Sequence, residues 1–319
     1  MYYKVLYPIF IILFIFSCKS SQTALVQVPD VDSVEAPTET YIKPSIVDEP
    51  ETGPYRSENT KYHDLIHTRL EVKFNWELQH LLGSALLELK PHFYPQDQLI
   101  LDAKGFDIHS VQLVEGSDKI PLRHQYDAKK LTIMLDRKYQ RNESYFVQID
   151  YTAKPNELKA GGSEAITSDI GLYFINPTGA DSLKPQQIWT QGETEASSCW
   201  FPTIDSPNQR TTQEIYITVE ERFVTLSNGR LIYSQGNSDG TRTDYWKMDQ
   251  PHSPYLFMMA IGEFAVVKDQ WEDLEVSYYV EPEYQKYAGQ IFGKTPEMLT
   301  YFSDLLKYPF PWSKYAQVV

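Results

Sequence analysis

Two stretches hold most of the side chains whose types and spacing could do chemistry. The first is His63-Asp64-Leu65-Ile66-His67. It resembles the metal-binding pattern H-E-x-x-H, with Asp64 in the glutamate position. That pattern works on a helix, which brings side chains at i and i+4 onto one metal. Here the residues lead straight into an alternating apolar–polar run, which predicts a strand. In an extended chain the two imidazoles share a face but stand about 13 Å apart, at about 3.3 Å per residue. Asp64 is also one methylene shorter than the glutamate base. The spacing predicts no shared metal.

The second stretch is QGETEASSCWFPTIDSPNQR, Gln191 to Arg210. Gln191 and Glu193 bracket Gly192, so in an extended chain their side chains share one face. A carboxylate and an amide beside a residue that permits close approach suit a ligand carrying an ammonium and a carbonyl. A solvated strand edge explains the same residues. Cys199 could act as a nucleophile only with a histidine held nearby, which spacing does not supply. Beside Trp200 and Phe201 it reads as a small buried hydrophobe. Ser197-Ser198 lacks the strand–turn–helix context of a nucleophile elbow. There is no G-x-S-x-G, phosphate loop or C-x-x-C.

These residues sit in a 319-residue chain with 42% hydrophobic residues and a formal net charge of −14. The size suggests about two domains. The acidic balance argues against a nucleic-acid partner, which would reward a basic stripe. Residues 1–17 carry one Lys and then an apolar run ending at Ser17-Cys18. The run has the length of a signal-peptide core and is too short to span a bilayer. A small residue directly before Cys18 predicts a bacterial lipoprotein signal, with Cys18 lipidated. An ordinary cleaved signal is the alternative. With Cys18 lipidated, Cys199 is the one thiol left and no intramolecular disulfide forms. Residues 18–59 are rich in Pro, acidic residues, Ser and Thr, and read as a solvated tether.

From about residue 60 the pattern becomes period two. Leu70, Val72, Phe74 and Trp76 fall on one face, with Glu71, Lys73 and Asn75 on the other. Gly83-Ser84 reads as punctuation before a second strand. Further short strands separated by turn residues predict a mainly β, antiparallel sandwich or folded-over sheet over 60–270. Asn228-Gly229 reads as a hairpin turn. Over 271–319 the pattern is strand, helix, strand. Tyr287, Ile291, Met298, Phe302 and Leu305 fall at helical spacing, with a break expected at Pro296. The chain stops at Val319 inside what reads as a strand, which predicts truncation.

Several motifs now align in order. TQGETEASSCWFPTIDSPNQR resembles the T-Q-x-E and F-P-C-x-D-x-P segments of the aminopeptidase N family, the gluzincin zinc aminopeptidases. Thr190, Gln191 and Glu193 match the first segment; Phe201, Pro202, Asp205 and Pro207 match the second. Leu226-Ser227-Asn228 is similar to the family's A-L-S-N turn. HSPYLFMMAIGEF is similar to S-x-Y-L-x-x-F, and YFSDLLKYPFPWSK to Y-F-x-x-P-Y-P-x-x-K. Thr203 stands where many members have Cys, Ser198 where many have Arg, and no Asp follows Lys314 as it often does.

The resemblance implies an aminopeptidase N-type β domain of saddle-like form over 60–270, then the start of a thermolysin-like α/β domain. It implies that Glu193 helps bind the free α-amino group of a peptide and that Gln191 lines the pocket for its first side chain. Zinc and its H-E-x-x-H site would belong to a part of the protein beyond this chain. The expectation is therefore the recognition portion of an exported, membrane-anchored zinc aminopeptidase, with no zinc site and no activity of its own. A different class remains open: a non-catalytic β-sandwich lipoprotein that binds glycan or peptide. So does a family member without its zinc ligands.

Overall fold

The computed structural model describes residues 60–159 and 169–319. The signal, Cys18 and tether readings lie outside the described residues. Along the first part run β1 (His63–Asn75), β2 (His80–Pro91), β3 (Gln96–Asp102), β4 (Phe106–Glu115), β5 (Asp118–Pro121), β6 (His124–Tyr126), β7 (Lys130–Tyr139) and β8 (Tyr145–Ala153). Next come β9 (Leu172–Ile175), β10 (Gln187–Thr190), β11 (Thr211–Glu220), β12 (Val224–Ser227), β13 (Arg230–Gly236), β14 (Thr241–His252) and β15 (Met259–Gly262). The last segment holds β16 (Ala265–Trp271), β17 (Leu274–Val280), α1 (Gln285–Phe292), α2 (Thr295–Leu306) and β18 (Lys314–Val318).

Eight strands form one sheet in the order β13-β14-β11-β1-β2-β8-β4-β5; β12-β15-β10-β9, β3-β7-β6 and β16-β17-β18 form three smaller ones. The fold is mainly β, as the alternation predicts. It is not purely antiparallel, since β1 runs parallel to β11 and β17 parallel to β18. One core joins the eight-stranded, four-stranded and β3-β7-β6 sheets, through residues such as Leu70, Leu87, Leu131, Val147, Ile188 and Ile215. These are the inward positions of alternating strands, and their burial is the main favourable term in folding. A second, smaller cluster gathers Val276, Tyr278, Val280, Ala288 and Leu299 between β17 and the helices. The β16–β17 hairpin joins residues on either side of 270/271.

Three local expectations are corrected. Gly83 is no break: β2 runs through it, opposite Val72 and Tyr151. A Cβ there would lie 2.3 Å from the buried Tyr151 ring, so the glycine makes room for a tyrosine. The turn falls instead at Trp76–Gln79, where Gln79 takes positive φ. Asn228-Gly229 is a turn with Gly229 at φ +74°, but it closes no hairpin. It passes the chain from β12 in the four-stranded sheet to β13 in the eight-stranded one. Finally, Ile66 is an extra residue in β1 opposite β2. This bulge reverses the phase of the alternation. His63 is buried against Tyr145, whereas His67 turns to the other face and pairs with Thr212 Oγ1 (2.7 Å). The two histidines do not share a face.

The helical segment breaks where expected. Gly293 ends α1, and Pro296 sits in the first turn of α2, where its missing N–H is not needed. The apolar stripe has the spacing of a helix but not the burial. Ile291 is 64% exposed, Met298 54%, Phe302 54% and Leu305 61%. The face turned onto β17 carries Ala288 and Leu299. Among the described residues no helix is long and apolar enough to cross a membrane.

Candidate functional site

The loop after β10 carries Gln191 and Glu193. Thr190 ends the strand by side-chain bonding: its Oγ1 accepts from Met259 N–H (3.0 Å) on β15. Gln191 N–H still donates to Gly171 O (3.0 Å), so strand geometry persists for one more residue. Beyond that the chain turns through Glu193–Ala196 into a short 3₁₀ turn at Ser197–Cys199, and the extended geometry that would set the two side chains on one face ends. Glu193 N–H reaches back to Gln191 Oε1 (3.3 Å). Glu193 is exposed and Gln191 half-buried. Among the described residues, no ion pair or hydrogen bond engages the Glu193 carboxylate.

Two glycines let this loop lie so close to its support. At Gly192 a Cβ would stand 2.2 Å from Tyr255 O and 2.7 Å from Ser197 Oγ. Gly171 takes φ +72°, and a Cβ there would stand 2.0 Å from Ala196 O. The following turn is held by its own motif residues. Ser197 Oγ donates to Pro254 O (2.9 Å), and Ser198 N–H donates to Asp205 Oδ2 (2.8 Å). Asp205 is buried, and desolvation pushes its carboxyl up to about 6. Phe201 is fully buried and stacks on Phe257 at 5.0 Å. The F-P-x-x-D segment is therefore the support of the loop, while Gln191 and Glu193 are what it presents.

Cys199 is buried, and its Sγ–H donates to Asp169 O (3.6 Å). Burial pushes its thiol up to about 12, opposite to the shift a nucleophile needs. Among the described residues no group of three or more His, Cys, Asp or Glu side chains is placed to hold a metal ion. The described residues therefore bring together no donor set of the kind a zinc ion needs.

A cleft of about 550 Å³ lies beside the loop, lined by His63, Asp102, Lys130, Glu195, Asp205 and Gln209 among others. Burial lowers His63 to about 4, so its imidazole is neutral at pH 7.

These features have counterparts. A family model described as the Peptidase M1 N-terminal domain matches residues 59–256, more than half of the chain. The chain belongs to this family. Among curated relatives, it is 21% identical over 275 residues to transcription initiation factor TFIID subunit 2 of Danio rerio, covering 76% of this chain and 23% of that protein. It is 24% identical over 274 residues to leucine aminopeptidase 2 of Yarrowia lipolytica, covering 85% of this chain and 38% of that protein. Among solved structures, a mutant M1 zinc metallopeptidase from Deinococcus radiodurans, bound to a Tyr-Ser-Ala substrate, superposes with a TM-score of 0.65 at 19% identity. That match covers 81% of this chain and 56% of the other, and shows a shared fold. The chain spans less than half the length of these curated relatives.

Membership explains why the motifs occur together, and the structure adds contacts that spacing cannot show. Lys314 Nζ donates to Ser227 O and Gly229 O, 2.5 Å each, and lies 5.0 Å from the Trp246 ring centroid. Desolvation lowers its ammonium to about 8, against the opposing charge of Glu275. Sequence reading matched this lysine to the family pattern but assigned it no role. No local signal marks it, because its partners are backbone carbonyls far away in the chain.

Proposed function

We propose that this chain is the substrate-recognition portion of a zinc aminopeptidase that removes residues from peptide N-termini. The family match over 59–256 supports this. The observation that carries it is the loop itself: a rigidly seated turn that presents an exposed carboxylate and a half-buried amide. Glu193 would pair the α-ammonium of a peptide, and Gln191 would line the pocket for its first side chain. Both orient the substrate. Zinc, where the whole protein holds it, supplies Lewis-acid polarisation of the scissile carbonyl and a nucleophilic water. None of the described residues takes part in that step. Residues 1–59 would export the protein and hold it off a bacterial membrane through lipid on Cys18, at the periplasmic or cell surface.

The test uses the whole protein. Leucine p-nitroanilide should be cleaved in a chelator-sensitive way, and its N-acetyl derivative should not. Glu193→Ala should lower kcat/KM by about 30-fold or more, since a charge pair closed off by substrate contributes roughly 2–5 kcal/mol. An exposed pair contributes at most about 1 kcal/mol, about fivefold, so a change of about fivefold or less would remove Glu193 from the clamp. Equal rates on free and acetylated substrate would end the recognition reading.

A second reading is favoured by one observation. The similarity to TFIID subunit 2, named as a component of a transcription factor, runs over 76% of this chain. On that reading the chain is a non-catalytic scaffold on the same fold. Complete absence of chelator-sensitive hydrolysis by the whole, folded protein would support it.

A further inference from the structure

Lys314 stands on β18, far along the chain from the recognition loop, yet an unbroken series of contacts joins them. Its ammonium is gripped by two carbonyls of the Ser227–Gly229 turn and faces Trp246. The turn is a junction. Asn228 Nδ2 donates to Leu256 O (2.9 Å), Asn228 Oδ1 accepts from Met258 N–H (2.7 Å), and Ser227 Oγ donates to Met258 O (2.7 Å). The segment 254–259 so fixed is what the loop rests on. Pro254 O accepts from Ser197 Oγ, Tyr255 O lies against Gly192, and Met259 N–H donates to Thr190 Oγ1. Both ends of the Gln191–Glu193 loop are thus tied to the segment that Lys314 anchors from the other side.

From this we infer that Lys314 is a positioning residue: it sets the place of Gln191 and Glu193 without touching the substrate. The inference rests on the recognition role proposed for that loop and adds a residue to it. The chemistry of the anchor is specific. A lysine has three donors, so one ammonium can hold two carbonyls of a tight turn at once. An apolar side chain would leave both carbonyls without a donor, an unfavourable state for partly buried groups. The turn also has somewhere to go. A pocket of about 280 Å³, lined by Asn228, His252, Leu256, Trp312 and Lys314 among others, adjoins it.

The test is made in the intact aminopeptidase, with leucine p-nitroanilide, its N-acetyl derivative and hydrogen exchange. Lys314→Met should raise KM for the free-amino substrate about tenfold while kcat changes about threefold or less, the signature of lost substrate placement. Amide exchange should rise at Gln191 and Ala196 and stay unchanged at Leu87 and Val147 in the large sheet. Lys314→Arg, which keeps charge and donors, should recover most of the loss. Should Lys314→Met fold poorly, Asn228→Ala cuts the next link and should give the same pattern. A folded variant with unchanged KM and unchanged loop exchange overturns the inference, and so does exchange rising equally everywhere. A wild type that does not distinguish free from acetylated substrate overturns the recognition reading and this inference with it.

Discussion

The strand stripe of β1 and the helix stripe of α1–α2 look alike as sequence and differ as structure. Leu70 and Val72 repeat at period two and are buried to within 1%. Ile291, Met298, Phe302 and Leu305 follow helical spacing and are more than half exposed. Periodicity reports which backbone conformation lines apolar groups along one side. It does not report whether a second surface lies against that side. β1 has β2 and β11 as neighbours and three sheets sharing its core. The helices have β16–β17 on one side, filled by the small Ala288 and by Leu299.

The sharpest way to break that contrast is to truncate one side chain from each region. Leu87 is fully buried in the main core. Leu87→Ala should cost about 2–5 kcal/mol, the range for emptying a packed leucine site. Urea unfolding followed by circular dichroism checks this. A loss below about 1 kcal/mol would mean that the large sheet is no better packed than the helices.

The next effect comes from acid and probes the rim of the large core. His63 and Asp205 line one cleft and are displaced in opposite directions. The folded value of His63 is depressed from 6.5 to about 4, so the unfolded chain binds the extra proton. Its contribution is intact above pH 6.5 and is lost as pH falls toward 4, about 3 kcal/mol in all at roughly 1.4 kcal/mol per unit. Asp205 is raised from 3.8 to about 6, so its proton stabilises the folded state below about pH 6. The two slopes oppose between pH 4 and 6. Asp205→Asn should therefore steepen acid loss, and His63→Asn should flatten or reverse it. Urea midpoints at intervals from pH 4 to 7 decide. Parallel curves for both variants would contradict this assignment of the slopes.

A smaller effect tests the glycine inside β2. Gly83→Ala places a methyl against the Tyr151 ring, whose hydroxyl donates to Trp200 O (3.0 Å). Overpacking of this kind costs about 1–3 kcal/mol. Gly83→Ala combined with Tyr151→Phe should relieve little, because the clash includes ring carbons. Full recovery in the double variant would trace the cost to the hydroxyl alone.

Gly83 also marks where reading the sequence fails. A glycine between apolar runs is a turn signal by composition, but here its cause is a tyrosine six strands on in the chain, which the sheet brings directly opposite it. The Ile66 bulge and the parallel β1–β11 pairing are equally tertiary, since nothing near Ile66 distinguishes an extra residue from a paired one. What was legible is local. The alternation of β1, the break before Pro296 and the buried role of Cys199 each follow from a few adjacent residues. The recognition loop is intermediate. Its residues stood out as a motif, whereas its seat on Tyr255 and its link to Lys314 belong to the folded molecule.

The smallest expected effect completes the contrast. Phe302 contributes its ring mainly to solvent, so Phe302→Ser removes little buried area. Its unfolding midpoint should match wild type, a change within about 0.5 kcal/mol as for surface sites generally. Ile291→Lys should behave the same way. Each replaces an apolar group in an exposed patch of the kind that drives association. Self-association measured by sedimentation should fall for both while stability holds. If Phe302→Ser instead unfolds the chain as readily as Leu87→Ala, the stripe is core after all, and the two regions differ only in how their burial is distributed. If stability and association are both unchanged, the stripe is inert in this chain, and helical spacing there records a requirement met elsewhere in the whole protein.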